Sequence, residues 1–280
     1  MLDNLLDIIR LQPAGQDCFK GDNMHPAAFR VYGGQVLAQA VSAAVATVED
    51  AGREIHSQHA YFLRPGNASL EIEYQVERAR DGGSFSSRRV VALQQGKPIL
   101  VSSMSFQEAS RGDDYQSAMP PVPPPEELSS DRQRALASGT MEEDFMITTG
   151  EDLDVRLCSP VDWGDNNPRE PVLHAWVKTN GAIPDERGLH RALLAYFSDI
   201  YLIDACLMAH GRSYLDPGMQ VASLDHALWF HQAFRADEWL LLSMEAERVS
   251  GGRGLARGRF FTREGQLVAT TMQEGLMRFR

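Results

Sequence analysis

The sequence predicts an α+β protein made of two tandem copies of one domain, each an antiparallel sheet wrapped around a central helix. Three observations predict it. Matching landmarks recur in order on both sides of a proline-rich stretch. Each set begins with one helical run. Each then continues into long strand-like runs closed by tight glycine turns.

The landmarks come first. His59-Ala60-Tyr61-Phe62 answers to His226-Ala227-Leu228-Trp229-Phe230, Gly82-Gly83 to Gly251-Gly252, Gly96 to Gly265, and Met104 to Met272. Their separations stay within 167 to 169 residues, which a short-period solenoid does not produce. At the last landmark this alignment sets Ser105 opposite Gln273, and it sets His59 opposite His226. The shared position argues for a structural role for the two histidines, such as hydrogen bonding to backbone.

In the first copy the helix is expected over Gly33 to Ala46, small and mostly apolar on every face. A helix enclosed by a sheet needs that composition. In the second copy the helix is expected from about Arg187 to His210. Strands are expected over Leu70 to Ala79 and Ser84 to Gln94, and again over Glu238 to Val249 and Gly254 to Thr262. Val90, Ala92, Ile99, Val101 and Met104 suit a sheet with one buried face. Met1 to Asp7 reads as a short amphipathic helix. Between the copies, Pro120-Pro121-Val122-Pro123-Pro124-Pro125 forbids helix and interior strand, so an extended spacer is expected, followed by an acidic helical piece from Asp131 to Phe145. The expected division is 1–107, a linker over 108–150, and 151–280.

Composition narrows the function. The formal net charge is −11, so phosphate backbones are repelled and a nucleic-acid partner is not expected. No apolar run approaches a membrane span. The first residues carry acids where a signal peptide carries bases, and Arg278-Phe279-Arg280 is not a peroxisomal address, so the cytoplasm is the expected location. Cys18, Cys158 and Cys206 are odd in number and far apart, so neither a disulfide framework nor a metal site follows.

Asp199 is the most informative polar residue. Stepping by three or four along the second helix gives Leu189, Ala192, Tyr196, Asp199, Ile203 and Cys206, which puts a carboxylate in an apolar stripe. A buried carboxylate is costly unless it is paired or raises its pKa. It is either a site residue, or a structural acid paired with an arginine or capping a backbone amide. Asp204 is a weaker candidate. The first copy has no acid in its helix and no amide where Gln273 stands, an asymmetry expected if one copy keeps the chemistry. Ser223, Asp225 and His226 do not make a nucleophilic triad, because neighbours alternate across a strand and no Gly-x-Ser-x-Gly elbow exists. Gly251-Gly252-Arg253-Gly254 lacks the ending of a phosphate loop and reads as a strand turn.

Several segments carry a family resemblance: Tyr32-Gly33-Gly34-Gln35-Val36, Tyr61 to Gly66, Arg80 to Val90, Asp225 to His231, and Gln273 to Arg278. Taken together the chain resembles the acyl-CoA thioesterase II family, double-hotdog enzymes of bacteria with peroxisomal relatives in eukaryotes. The resemblance implies a double hotdog and an acyl-CoA substrate, with medium to long chains hydrolysed without metal or other cofactor. It carries the catalytic roles to Asp199, Ser223 and Gln273. The family commonly has threonine where Ser223 stands, so the hydroxyl is kept and the methyl is lost. Gly33 and Gly34 are expected to offer backbone amides to the oxyanion, and Arg64, Arg88 and Arg89 are candidates for the CoA phosphates. A homodimer or higher homo-oligomer is expected. Gly164-Asp165-Asn166-Asn167-Pro168 resembles a motif of hotdog enoyl-CoA hydratases, with Glu170 at the histidine position, so a hydratase is the second reading. A non-catalytic acyl-CoA binding protein is the third.

Overall fold

The computed structural model describes residues 2–139, 146–214 and 216–279. Its first half runs α1 (Leu2–Ile9), β1 (Gln12–Gly15), β2 (Cys18–Gly21), α2 (Gly33–Ala46), β3 (Arg53–Phe62), β4 (Ile72–Asp81), β5 (Phe85–Gln94) and β6 (Lys97–Glu108). Then come a 3-10 turn at Pro125–Glu127, α3 (Asp131–Ser138) and α4 (Met146–Thr149). The second half runs β7 (Leu153–Leu157), β8 (Val172–Thr179), α5 (Leu189–Phe197), α6 (Asp204–Met208), β9 (Met219–Ser223), β10 (Asp225–Phe230), β11 (Leu240–Ser250), β12 (Arg253–Thr262) and β13 (Leu267–Phe279).

The strands form one antiparallel sheet in the order β1-β2-β4-β5-β6-β3-β10-β13-β12-β11-β8-β7. The order is the same read outward from its centre. β3, β6, β5 and β4 answer to β10, β13, β12 and β11, and β9 is an addition beside β13. The duplication is therefore built into the topology, and β3 pairs with β10 to join the halves. The helices α2 and α5 pack on each other within the curve of the sheet. This is the double-hotdog arrangement. Most of α2 is buried, as its small residues require, and buried Gln35 and Gln39 tie down the loop before it by bonds to Asn23 and Asp22.

Several elements differ from expectation. After α1, which matches the helix expected at the start of the chain, two strands precede the central helix in each half, where none was expected. The Leu153-Asp154-Val155-Arg156-Leu157 alternation signals β7, whereas the four-residue β1 and β2 hold Pro13 and Gly15 and show none. The second helix is broken between Phe197 and Asp204, with Tyr201 in the left-handed region (φ 57°). There Ser198 bonds back to the Ala195 carbonyl at 2.8 Å, competing with helix continuation.

The proline-rich segment is extended, as expected, and is packed onto the second half. Trp176 donates its indole N–H to Pro123 O at 2.9 Å, and Arg156 donates to Pro125 O at 2.8 Å. Met119, Val122 and Leu128 pack on Trp176, Leu241 and Phe261 on the outer face of the second half's sheet. An extended proline chain has unpaired carbonyls to offer, and this face supplies both donors and apolar area. Finally, α3 stops at Gly139 (φ 71°), short of the expected Phe145; residues 140–145 lie outside the described residues.

Candidate active site

Asp199 lies in the turn directly after α5. That turn aims its carboxylate at the first turn of α2 in the other half, where Gly34 N–H donates to Oδ2 at 3.0 Å. A helix start favours an anion. Two glycines make the approach possible. A Cβ on Gly33 would stand 2.6 Å from Asp199 Oδ2, and one on Gly34 would stand 2.4 Å from the Tyr196 carbonyl oxygen. Tyr32 adds a bond to that same carbonyl at 2.9 Å. The structural reading of Asp199 as a cap on a backbone amide is thus correct as far as it goes, but the amide belongs to the opposite half.

Two further side chains reach Asp199 from the sheet. Gln273 on β13 donates its amide N–H to Asp199 Oδ1 at 2.8 Å and to Ser223 Oγ, at the end of β9, at 2.6 Å. Burial pushes the Asp199 carboxyl up to about 6, against the opposing pull of Gln273, Gly34, Arg30 and Ser223. The group therefore changes protonation near neutral pH, which suits an acid or base.

A buried relay sets the amide's orientation. Gln273 Oε1 meets His226 Nδ1 at 2.7 Å, and His226 Nε2 meets Ser198 Oγ at 2.8 Å and Thr271 Oγ1 at 2.9 Å. The Asp199 carboxylate only accepts, so the Gln273 NH₂ must face it and Oε1 must face the histidine. His226 Nδ1 then carries the proton and Nε2 accepts from a hydroxyl. Burial pulls the imidazole down to about 4, so it stays neutral as this pattern needs. His226 has the structural role expected of it, through side chains rather than backbone, whereas Ser198 and Thr271 are supports that sequence reasoning missed. Ser198 had a signal in its place beside Asp199.

The two histidines are not equivalent, contrary to expectation. His226 faces inward opposite Ala60, whereas His59 faces outward opposite Ala227 and stacks edge-on against Trp229. Gln58, paired with Met104, holds the place that His226, next to Gln273, holds in the second half. Likewise buried Met104, not Ser105, is the counterpart of Gln273. A one-residue slip in alignment reverses every facing in a strand.

Of the arginine candidates, Arg88 is excluded as a phosphate ligand. It is 1% exposed, and its guanidinium is used by Thr47, Arg80, Ser87 and Asp81 at the end of α2 and the β4–β5 turn. Arg89 is on the outer face, paired with Glu77. Arg64 is exposed and bonds Pro98 O at 2.7 Å, just past Phe62, whose ring packs beside Gly33. Gly34 N–H is engaged by Asp199, so it is not idle as an oxyanion donor. Asp165 of the hydratase-like segment folds onto its own turn, bonding Asn167. Asp204 is buried and pushed up to about 7.

A family model described as acyl-CoA thioesterase matches residues 164–276, and one described as acyl-CoA thioesterase N-terminal domain matches 21–107. Acyl-CoA thioesterase 2 of Haemophilus influenzae is 37% identical over 284 aligned positions, covering 100% of this chain and 98% of that protein. The crystal structure of the acyl-CoA thioesterase II TesB2 from Mycobacterium marinum is 36% identical, covers 100% of this chain and 99% of that one, and superposes with a TM-score of 0.80. A conserved protein with hot dog fold from Alicyclobacillus acidocaldarius, 18% identical, shares the fold with a TM-score of 0.78 over 98% of this chain and 97% of that one. An asymmetric carboxylate–amide–hydroxyl cluster between two duplicated halves, with matches over nearly the whole length, leaves one assignment: the chain belongs to the acyl-CoA thioesterase II family and is an acyl-CoA thioester hydrolase.

Proposed function

We propose that the chain hydrolyses medium- to long-chain acyl-CoA to fatty acid and CoA by direct attack of a water held by Asp199, Ser223 and Gln273. The convergence of Gln273 Nε2 on both Asp199 and Ser223 carries this reading. Asp199 takes the water's proton as general base. Ser223 and Gln273 fix the water against the thioester carbonyl. The start of α2 at Gly33 and Gly34 offers positive dipole and backbone amides to the oxyanion. Gly34 N–H is bound to Asp199 beforehand, and protonation of that carboxylate weakens its hold at the moment the oxyanion forms. Residues 1–107 thus supply the helix start, 151–280 supply the polar side chains, and 108–150 join them.

The acyl tail is assigned to the apolar layer between helices and sheet. Thiol release from butyryl- through stearoyl-CoA tests the substrate class. Rates that peak at the shortest ester overturn the chain-length assignment, and absence of release from every ester overturns the reading.

A base with a raised pKa predicts the pH profile. Asp199 must be ionised to act, so kcat/KM falls as pH drops through about 6. A profile flat down to pH about 4, the ordinary carboxylate range, removes Asp199 as the base.

Two coarser assignments follow. The free cysteines Cys18, Cys158 and Cys206 support a reducing compartment such as the cytoplasm. Exposed Tyr61 and Leu63 at the join of the halves support a homo-oligomer, which a monomeric light-scattering mass would rule out.

A further inference from the structure

The polar cluster has a closed side and an open side. On the closed side Gln273 and His226 are each 1% exposed. On the open side stand the exposed Arg30 and Tyr214, 42% exposed, both within electrostatic reach of Asp199. Arg30 belongs to the loop before α2. It reaches across to the other half, where its Nη1 donates to Val221 O at 3.2 Å, two residues before Ser223. Its guanidinium has that carbonyl and no carboxylate as hydrogen-bond partner among the described residues. Exposed itself and tied to β9 two residues from Ser223, it lies within electrostatic reach of both Asp199 and Tyr214.

A CoA thioester has an apolar end and a strongly hydrated end. The hydrated end cannot enter the closed side, so the sulfur faces the open side. When the tetrahedral intermediate collapses, the C–S bond breaks and its electron pair leaves on sulfur. That puts a thiolate beside Asp199, where burial already makes negative charge costly. The geometry points to Arg30 as the residue that meets this thiolate, a catalytic group supplied by the first half. The proton that Asp199 took from water then passes to the sulfur, which restores the base and releases CoA as the thiol. The inference rests on the hydrolytic reading above.

The test compares wild type, Arg30→Ala and Arg30→Lys on one acyl-CoA and on the same acyl group joined to thionitrobenzoate, a far more acidic thiol. Removing one preorganised charge from a transition state costs at least about tenfold, so Arg30→Ala should lower kcat on acyl-CoA by that much with KM little changed. Arg30→Lys should lie between, and added guanidinium ion should restore part of the Arg30→Ala loss. The thionitrobenzoate ester, whose leaving group needs less help, should lose less. Unchanged kcat in Arg30→Ala overturns the inference. So does a loss wholly in KM, since that marks a phosphate contact, or a loss without guanidinium rescue. Thermal melts that match wild type keep folding out of the comparison. If wild type itself releases no thiol, the hydrolytic reading has failed instead.

Discussion

Asp199→Asn is expected to lower kcat/KM for acyl-CoA by roughly 10² to 10⁴-fold, the usual worth of a positioned general base. The substitution keeps size and shape but removes the proton acceptor. It also disturbs what the carboxylate organises. Asp199 accepts from Gly34 N–H on one oxygen and from Gln273 Nε2 on the other. An asparagine can accept on only one side; its NH₂ would face a donor on the other. The amide of Gln273 is then free to turn over, which would reverse the hydrogen-bond sense at His226 and, through it, at Ser198 and Thr271. Activity of the variant equal to wild type in a thiol-release assay would remove Asp199 from the mechanism. A loss of only a few fold would mark it as a positioning residue.

The parts of this architecture written locally in the chain were legible. The turn Gln95-Gly96 adopts positive φ at both residues, as does Gly251-Gly252, and such turns have strong residue preferences. They gave the repeat, and the repeat gave the paired halves. The small residues of α2 gave its burial. What was not legible depended on long-range contact. The break after Phe197 arises where a hydroxyl finds a carbonyl and Tyr201 takes a left-handed conformation against α3, its phenol bonding Asp131. Helical spacing alone ran straight through it. The facing of His59 required strand register, which the sequence alignment missed by one residue. Arg88 looked like a surface cation because burial is a property of the fold; only the fold shows its donors consumed by Thr47 and the β4–β5 turn.

The site itself was legible unevenly, for the same reason. Asp199 stood out because a charge in an apolar stripe is anomalous in one dimension. Ser223 and Gln273 came from family resemblance, and nothing local distinguishes them from ordinary strand residues. The partner supplied by the first half, Gly34 N–H, has no side chain to notice at all.

That partner supplies the second large effect. Gly34→Ala is expected to cost both stability and activity, whereas Gly33→Ala should cost mainly activity. The two glycines are adjacent but meet different obstacles. A Cβ on Gly33 meets the Asp199 carboxylate at 2.6 Å and the Phe62 ring at 3.2 Å. Both are side-chain atoms and can swing aside, and swinging Asp199 aside dismantles its bonds to Gln273 and Gly34 while the helices stay in place. A Cβ on Gly34 meets the Tyr196 backbone oxygen at 2.4 Å and the Tyr32 ring at 2.5 Å. The carbonyl is part of α5 and cannot rotate away, so α2 and α5 must separate. Overpacking of that kind costs roughly 1 to 3 kcal/mol, or several degrees of melting temperature in a chain of this size. Separation also stretches the 3.0 Å bond from Gly34 N–H to Asp199 and the 2.9 Å bond from Tyr32 to Tyr196 O. Thermal melts together with thiol-release rates separate the two cases. Equal melting temperatures for the two variants would mean that the helix start is not held against α5 by close backbone approach. Full activity in Gly33→Ala would mean that the carboxylate works equally well away from the helix start.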